Sequence, residues 1–175
     1  MTLAGALIRP AVLDDAALLA DLGARTFRET FEAHCSPKDL EAFLSSTYGD
    51  VKQRAELEDP SRPAVVLELD GVPAGYAQLR LGHHEPCILQ ERPVELQRIY
   101  VLRAHHGGGH GAALMQAVLE LSRTWGANLI WLGVWERNHK ALAFYSRFGF
   151  REVGDHLFKL GRQSDRDLIL ARDLS

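Results

Sequence analysis

Cysteine is scarce in this 175-residue chain: Cys35 and Cys87 stand in unrelated segments, with no Cys-x-x-Cys spacing. Neither a zinc knuckle nor a disulfide framework is encoded, and two lone thiols are the pattern of a reducing, cytoplasmic compartment. No apolar run is long enough to span a bilayer. The stretch from Met1 to Leu13 carries Arg9 and Pro10 and lacks a cleavage-site pattern, so it is expected to form a strand rather than an export signal. Excess basic charge is also missing: 20 Lys and Arg against 23 Asp and Glu leave a formal charge of -3, which argues against a nucleic-acid surface. Without internal repeats or Gly/Ser linkers, one domain is expected over residues 1–175, with its core from about 7 to 174. What is present, 46% hydrophobic and 25% charged residues, is material for an ordinary core.

Hydrophobic spacing predicts the elements. Ala6 to Val12 reads as a strand, followed by a helix to about Phe31 that Asp14 and Asp15 start and that places Leu18, Leu19 and Leu22 on one face. Ser36-Pro37-Lys38-Asp39 is a helix start, with Ser as cap and Pro at the first helical position, and Leu40, Phe43 and Leu44 form the stripe behind it. Val65 to Leu69 and Gly75 to Leu81 flank Asp70-Gly71-Val72-Pro73 and predict an antiparallel hairpin. Strand Val94 to Leu102, helix Gly109 to Trp125 and the apolar strand Leu129 to Trp135 make a β-α-β unit. Asn138 caps a last helix with core face Ala141, Tyr145 and Phe148, and Phe150 to Leu160 and Asp167 to Leu174 read as two final strands. The class is α+β, with a mixed, largely antiparallel sheet flanked by helices.

The chemistry concentrates where the strand Glu95 to Val101 runs into His105-His106-Gly107-Gly108-Gly109-His110-Gly111-Ala112 and then a helix. Glycines at 107, 109 and 111 clear side chains from the helix start, leaving its unpaired N–H groups open to phosphates that the helix dipole also favours. A Rossmann fingerprint fits formally at Gly107-x-Gly109-x-x-Ala112, but about 20 residues on the chain has Leu129-Ile130-Trp131 instead of a ribose-binding acid. A P-loop fails because the turn ends in His110-Gly111-Ala112 rather than Gly-Lys-Ser/Thr. His83, His84, His105, His106 and His110 invite a metal reading, but glycines break up the His106/His110 pair and no carboxylate completes a set, so no metal is expected.

The turn His106 to Gly111 resembles motif A of the GNAT superfamily of N-acetyltransferases, Gln/Arg-x-x-Gly-x-Gly/Ala, with His106 where Gln or Arg is usual. Ile130 to Asn138, then Ala141-Leu-Ala-Phe-Tyr145 and Gly149-Phe150, resembles motif B. Glu29-Thr-Phe31, Ser36 to Leu40, Trp131 to Glu136 and Gly154-x-His156-x-Phe158-x-Leu160-Gly161 look like the PaiA-type spermidine/spermine acetyltransferases.

That resemblance implies a sheet with a splayed central strand pair and acetyl-CoA as cosubstrate. Its pantetheine would lie along Ile99, Tyr100 and Val101, with the Val101 N–H facing the thioester oxygen. Its phosphates would rest on His106, Gly107, Gly108, Gly109, His110, Gly111 and Ala112, with Asn138, Ala141 and Tyr145 on the facing helix. His106 would donate through its ring in place of the guanidinium. Tyr145 matches the tyrosine that protonates the leaving thiolate, with an aromatic on the helix's core stripe as the alternative. Glu95 matches the glutamate base, with water or a water chain as the alternative. Glu29, Glu32, Glu85 and Glu136 would line a pocket for a cationic amine, or remain solvated surface charges. The expected acceptor is a small-molecule primary amine, foremost spermidine or spermine; amino acids, protein N-termini, or a CoA-binding regulatory module without turnover are the alternatives. No nucleic-acid or membrane partner is expected, and a homodimer is compatible with the reading.

Overall fold

The computed structural model describes residues 5–174. Strand β1 (Ala6–Pro10) leads through a one-turn helix into α1 (Ala16–Phe31), α2 (Pro37–Thr47) and α3 (Asp50–Glu58). The hairpin β2 (Ala64–Leu69) and β3 (Val72–Leu81) precedes β4 (Pro93–Val101), α4 (His110–Thr124), β5 (Leu129–Trp135), α5 (His139–Arg147), β6 (Arg151–Leu160) and β7 (Gln163–Asp173). The seven strands form one sheet in the order β1-β2-β3-β4-β5-β7-β6, antiparallel except for β4 with β5.

Local chemistry explains most of these boundaries. Ser36 accepts the Asp39 N–H at 3.1 Å and Pro37 opens α2, as the start signal implies. Asp70 and Gly71 both have positive φ, 50° and 79°, the two-residue turn whose twist suits a hairpin. Asp15 does not cap α1 as expected: its carboxylate is drawn off by Arg9, at 2.8 and 2.9 Å, and by the Val12 N–H at 2.8 Å. The residues before α1 therefore form a tight one-turn helix. The last strand also begins earlier than expected, because Gln163 to Arg166 pair with Leu157 to Leu160 across a tight turn at Gly161.

Both sheet faces are covered. Leu114, Met115, Val118 and Leu119 of α4 pack on Leu67, Leu79, Val94, Leu96, Ile130 and Leu132. On the other face Leu19 and Leu22 of α1 meet Val66, Tyr76 and Leu102, and Phe27 joins Leu40, Leu44, Tyr48 and Leu160. Each such burial contributes roughly 1.5–3 kcal/mol before entropy is counted. Gly23 lets α1 approach this closely, since a Cβ there would lie 2.3 Å from the Tyr48 ring.

Helix α3 has no apolar stripe, and hydrophobic spacing gives no sign of it. Its inward residues are Gln53 and Glu56, which meet Arg98 of β4. The Arg98 guanidinium donates to Glu56 at 2.5 Å and to Gln78 at 2.6 Å, and lies 5.2 Å from the centre of the Tyr48 ring. Burial of this cation is balanced by the Glu56 carboxylate and the surrounding tyrosines, which hold it charged. Removing one partner leaves the other charge buried alone. Arg98→Ala is therefore expected to lower unfolding free energy by about 3–5 kcal/mol, measured by chemical denaturation. A loss under about 1 kcal/mol would show that α3 is held by other contacts.

Candidate active site

Strand β4 pairs with β5 over three positions only: Pro93 with Leu129, Val94 with Ile130 and Glu95 with Trp131. Beyond Glu95 the two part, while β4 stays on β3 to Val101 and β5 stays on β7 to Trp135. The register of β4 against β3 slips between Leu96 and Arg98, so Gln97 is an extra, bulged residue where the strands separate. A bulge bends its strand and increases the twist, which carries β4 away from β5. The wedge opens into a cleft of about 1130 Å³ that reaches both faces of the sheet.

On the α4 face the cleft is bordered by Ile99, Val101, His106, Gly107, Gly109, His110, Gly111 and Ala112, and by Asn138, Lys140, Ala141, Phe144 and Tyr145 of the α5 segment. Gly109 is the residue before α4, with φ 79°, a conformation that favours glycine, and it offers no side-chain cap. The first intrahelical bond runs from Ala113 N–H to the Gly109 carbonyl, which leaves the N–H groups of the first turn facing the cleft. Gly108 does not border the cleft; its Cβ position faces the His110 ring. Asn138 accepts the Ala141 N–H at 3.2 Å and starts α5, as its sequence position implies.

His106 is placed differently from its expected role. Its Nε2 donates to the Val101 carbonyl at 2.7 Å, so its Nδ1 is left to accept from the Lys140 ammonium at 3.0 Å. The ring's own N–H is committed to the chain, and the positive charge beside the glycine turn belongs to Lys140. Sequence reasoning passed over Lys140, because it sits in the next helix, 34 residues from His106.

Tyr145 is half-buried, packed edge-on against Phe144 and Phe150 at 5.4 and 5.7 Å between ring centres, and it borders the cleft. It therefore shares the core stripe while also lining the wedge. Burial, with Tyr100 nearby, pushes its hydroxyl well above the ordinary tyrosine range, so it keeps its proton at neutral pH. Tyr100 points to the opposite face, its hydroxyl 3.2 Å from that of Tyr48. Only its main chain is available on the α4 side.

The proposed amine-side carboxylates are dispersed. Glu95 lies in the wedge, but its Oε2 accepts Arg80 Nε at 2.5 Å. Glu29 borders the cleft, and its Oε2 accepts the Arg103 N–H at 3.0 Å. Glu32 is exposed, and Glu32 and Glu136 lie outside the cleft lining; Glu136 pairs with Arg166 at 3.2 Å. Glu85 is also outside it, bonded to His156 Nδ1 at 2.9 Å. Besides Glu95, the acids that reach the cleft from the sheet are Asp165 and Asp167 of β7, beside His156 of β6. Their signal in the sequence is the alternation Asp165-x-Asp167, which puts both on one strand face. Among the described residues, no three His, Cys, Asp or Glu side chains are grouped to hold a metal ion. No described helix is long and apolar enough to cross a membrane.

Comparison with known proteins agrees with this geometry. Residues 24–150 match the Acetyltransferase (GNAT) family. An uncharacterized N-acetyltransferase of Mycobacterium tuberculosis is 35% identical over 162 residues, covering 93% of this chain and 99% of the relative. Another, from Lactobacillus delbrueckii subsp. lactis, is 32% identical and covers 85% and 86%. Among solved structures, the PaiA N-acetyltransferase of Thermoplasma acidophilum in complex with coenzyme A shares the fold, with a TM-score of 0.75, 17% identity and 99% coverage of both chains. The chain belongs to the GNAT family and is an acetyl-CoA-dependent N-acetyltransferase of that type. The expected α+β class and the splayed sheet both hold.

Two predictions follow from the site's charges. Lys140→Ala is expected to weaken acetyl-CoA binding about 5- to 20-fold and to flatten its dependence on salt, read by calorimetry at two ionic strengths. Unchanged affinity and slope would remove Lys140 from the phosphate site. Burial pushes the Asp167 carboxyl up to about 6, so the folded state holds an extra proton between about pH 4 and 6. Stability from this group therefore falls as pH rises through that window. Asp167→Asn is expected to abolish the fall and to raise stability at pH 8 by up to about 2–3 kcal/mol. Parallel stability–pH curves for the two proteins would refute it.

Proposed function

We propose that the enzyme acetylates a primary amine of a small aliphatic polyamine such as spermidine or spermine, by direct attack in a ternary complex. The observation that carries this reading is the α1/α2 side of the cleft, where Asp165 and Asp167 stand among Phe31, Tyr100, Trp135 and Phe158. Carboxylates with aromatic faces suit an alkylammonium chain, through ion pairing and cation–π attraction. The likeness to PaiA-type sequences noted above points the same way. On the opposite side, the open N–H groups of α4 and the Lys140 ammonium suit the phosphates of acetyl-CoA, and the unpaired edge of β4 at Ile99 to Val101 suits the pantetheine amides. The cosubstrate supplies an activated thioester.

The residues of the chain then have three tasks: to deprotonate the ammonium, which has a pKa near ~10 in water, to hold the developing oxyanion, and to protonate the departing sulfur. In this reading Tyr145, held protonated by burial, performs the third.

An amine panel with acetyl-CoA, read by free thiol release, tests both acceptor and acid. Spermidine is expected to exceed amino acids and neutral amines in kcat/KM, with its KM rising with salt. Tyr145→Phe, which keeps the ring packing, is expected to lower kcat about 10- to 1000-fold. A neutral or anionic amine preferred over spermidine would refute the polyamine assignment, and unchanged turnover in the variant would return Tyr145 to a packing role.

A further inference from the structure

The base expected from sequence, Glu95, has its carboxylate bound to Arg80. A different titratable group opens into the same cleft on the acceptor side. His156 is the cross-strand partner of Asp167, and Asp167 in turn faces Trp135 of β5. The ring is about one-third exposed and borders the cleft. It lies over Gly133, where a Cβ would sit 3.4 Å from Nε2 and 3.7 Å from the Asp167 carboxylate. A Cβ at 133 would rest in ordinary van der Waals contact on the imidazole edge, and glycine leaves that edge uncovered.

The hydrogen bonds fix which nitrogen faces the cleft. Glu85 Oε1 lies 2.9 Å from Nδ1, and a carboxylate can only accept, so Nδ1 carries the proton. Neutral His156 therefore presents the Nε2 lone pair toward Gly133 and the cleft. Asp167 Oδ2 stands 3.9 Å from Nε2, too far for a hydrogen bond, yet close enough to attract an ammonium and to steady an imidazolium.

We propose that His156 is the general base of this acetyltransferase, oriented by Glu85 and paired with Asp167 as the ammonium-binding carboxylate. The inference rests on the N-acetyltransferase reading and names the residue that serves it. The acceptor ammonium gives one proton to Nε2, and the freed lone pair forms the C–N bond with the thioester carbon. As the C–S bond breaks, the thiolate takes a proton from Tyr145, which the amide nitrogen's second proton restores. The imidazolium then releases its proton to water through its exposed edge, giving acetylated amine, thiol and one proton overall.

The groups around the ring are mostly acidic. Glu85 comes from the β3–β4 connection, Asp165 and Asp167 from β7, and β5 contributes Gly133, which does not titrate. The Tyr100 hydroxyl of β4 feels the Asp167 charge, and the Arg80–Glu95 pair lies further along the same lining. A charged His156 thus meets carboxylates on two sides.

The test combines kinetics with the ring's own spectrum. His156→Gln is expected to keep acetyl-CoA affinity within about twofold, to lose about 100-fold or more in kcat at neutral pH, and to recover progressively toward pH ~10, where free amine is abundant. The acid limb of the parent kcat–pH profile should be absent from the variant. Long-range 15N NMR of the full-length parent should show the His156 ring as the Nδ1–H tautomer. In Glu85→Gln that preference should be lost and kcat fall about tenfold, marking Glu85 as a positioning residue. A kcat for His156→Gln within threefold of the parent, an acid limb that survives in it, or an Nε2–H tautomer in the parent would each overturn the proposal. Failure of the parent to release thiol with any amine would instead refute the acetyl-transfer reading itself, while the tautomer measurement, which needs no turnover, still decides whether His156 offers Nε2.

Discussion

The parting of β4 from β5 after Glu95 is the constraint on which the rest of the site depends. Two neighbouring strands gain by staying paired, since each abandoned ladder position exposes backbone donors and acceptors. Here the loss is enforced locally. Gln97 is bulged out of the β3 register, and the next residue, Arg98, is tied to Glu56 of α3 and to Gln78 of β3. Straightening β4 to follow β5 would pull the guanidinium from those partners and leave Glu56 charged and buried. A polar anchor on one face of the sheet therefore holds open a gap used from both faces.

The gap divides the work. On the α4 side the contacts suited to a ligand are main-chain N–H groups and one lysine, which serve an anion of fixed chemistry and are indifferent to side-chain identity. On the α1/α2 side they are carboxylates, an imidazole and aromatic rings, the side to which the proposed reading assigns the acceptor. Arg103, just after β4, joins the two: its N–H reaches the Glu29 carboxylate and its guanidinium the Glu29 carbonyl, so the end of α1 is clasped to the approach of the glycine turn.

Much of this was legible in the chain. Helical periodicity announced α4 and an apolar run announced β5, and the Ser36-Pro37 start and the Asp70-Gly71 turn each carried their own local chemistry. The glycine turn was readable because clearing side chains from a helix start is costly without a close-approaching ligand. What escaped was polar and non-local. Helix α3 buries Gln53 and Glu56 rather than leucines, so a search for apolar faces passes over it. Lys140, Arg80 and Asp167 acquire meaning only from partners 34, 15 and 11 residues away. Glu29, Glu85 and Glu95 were recognised as chemically able, but whether a carboxylate is free or already held is decided by the main-chain N–H, imidazole or cation that folding brings to it.

Counting the ladder across its middle gives the sheet a mechanical character. Four strands on one side and three on the other are joined by three residue pairs, Pro93 to Glu95 against Leu129 to Trp131. The molecule is in effect two stiff rafts sharing a short seam, with α4 as the connecting brace. A small tilt about that seam would widen or narrow the cleft without breaking any other strand pairing. The seam with the fewest paired positions in the described sheet is thus the line along which the proposed reactants would meet.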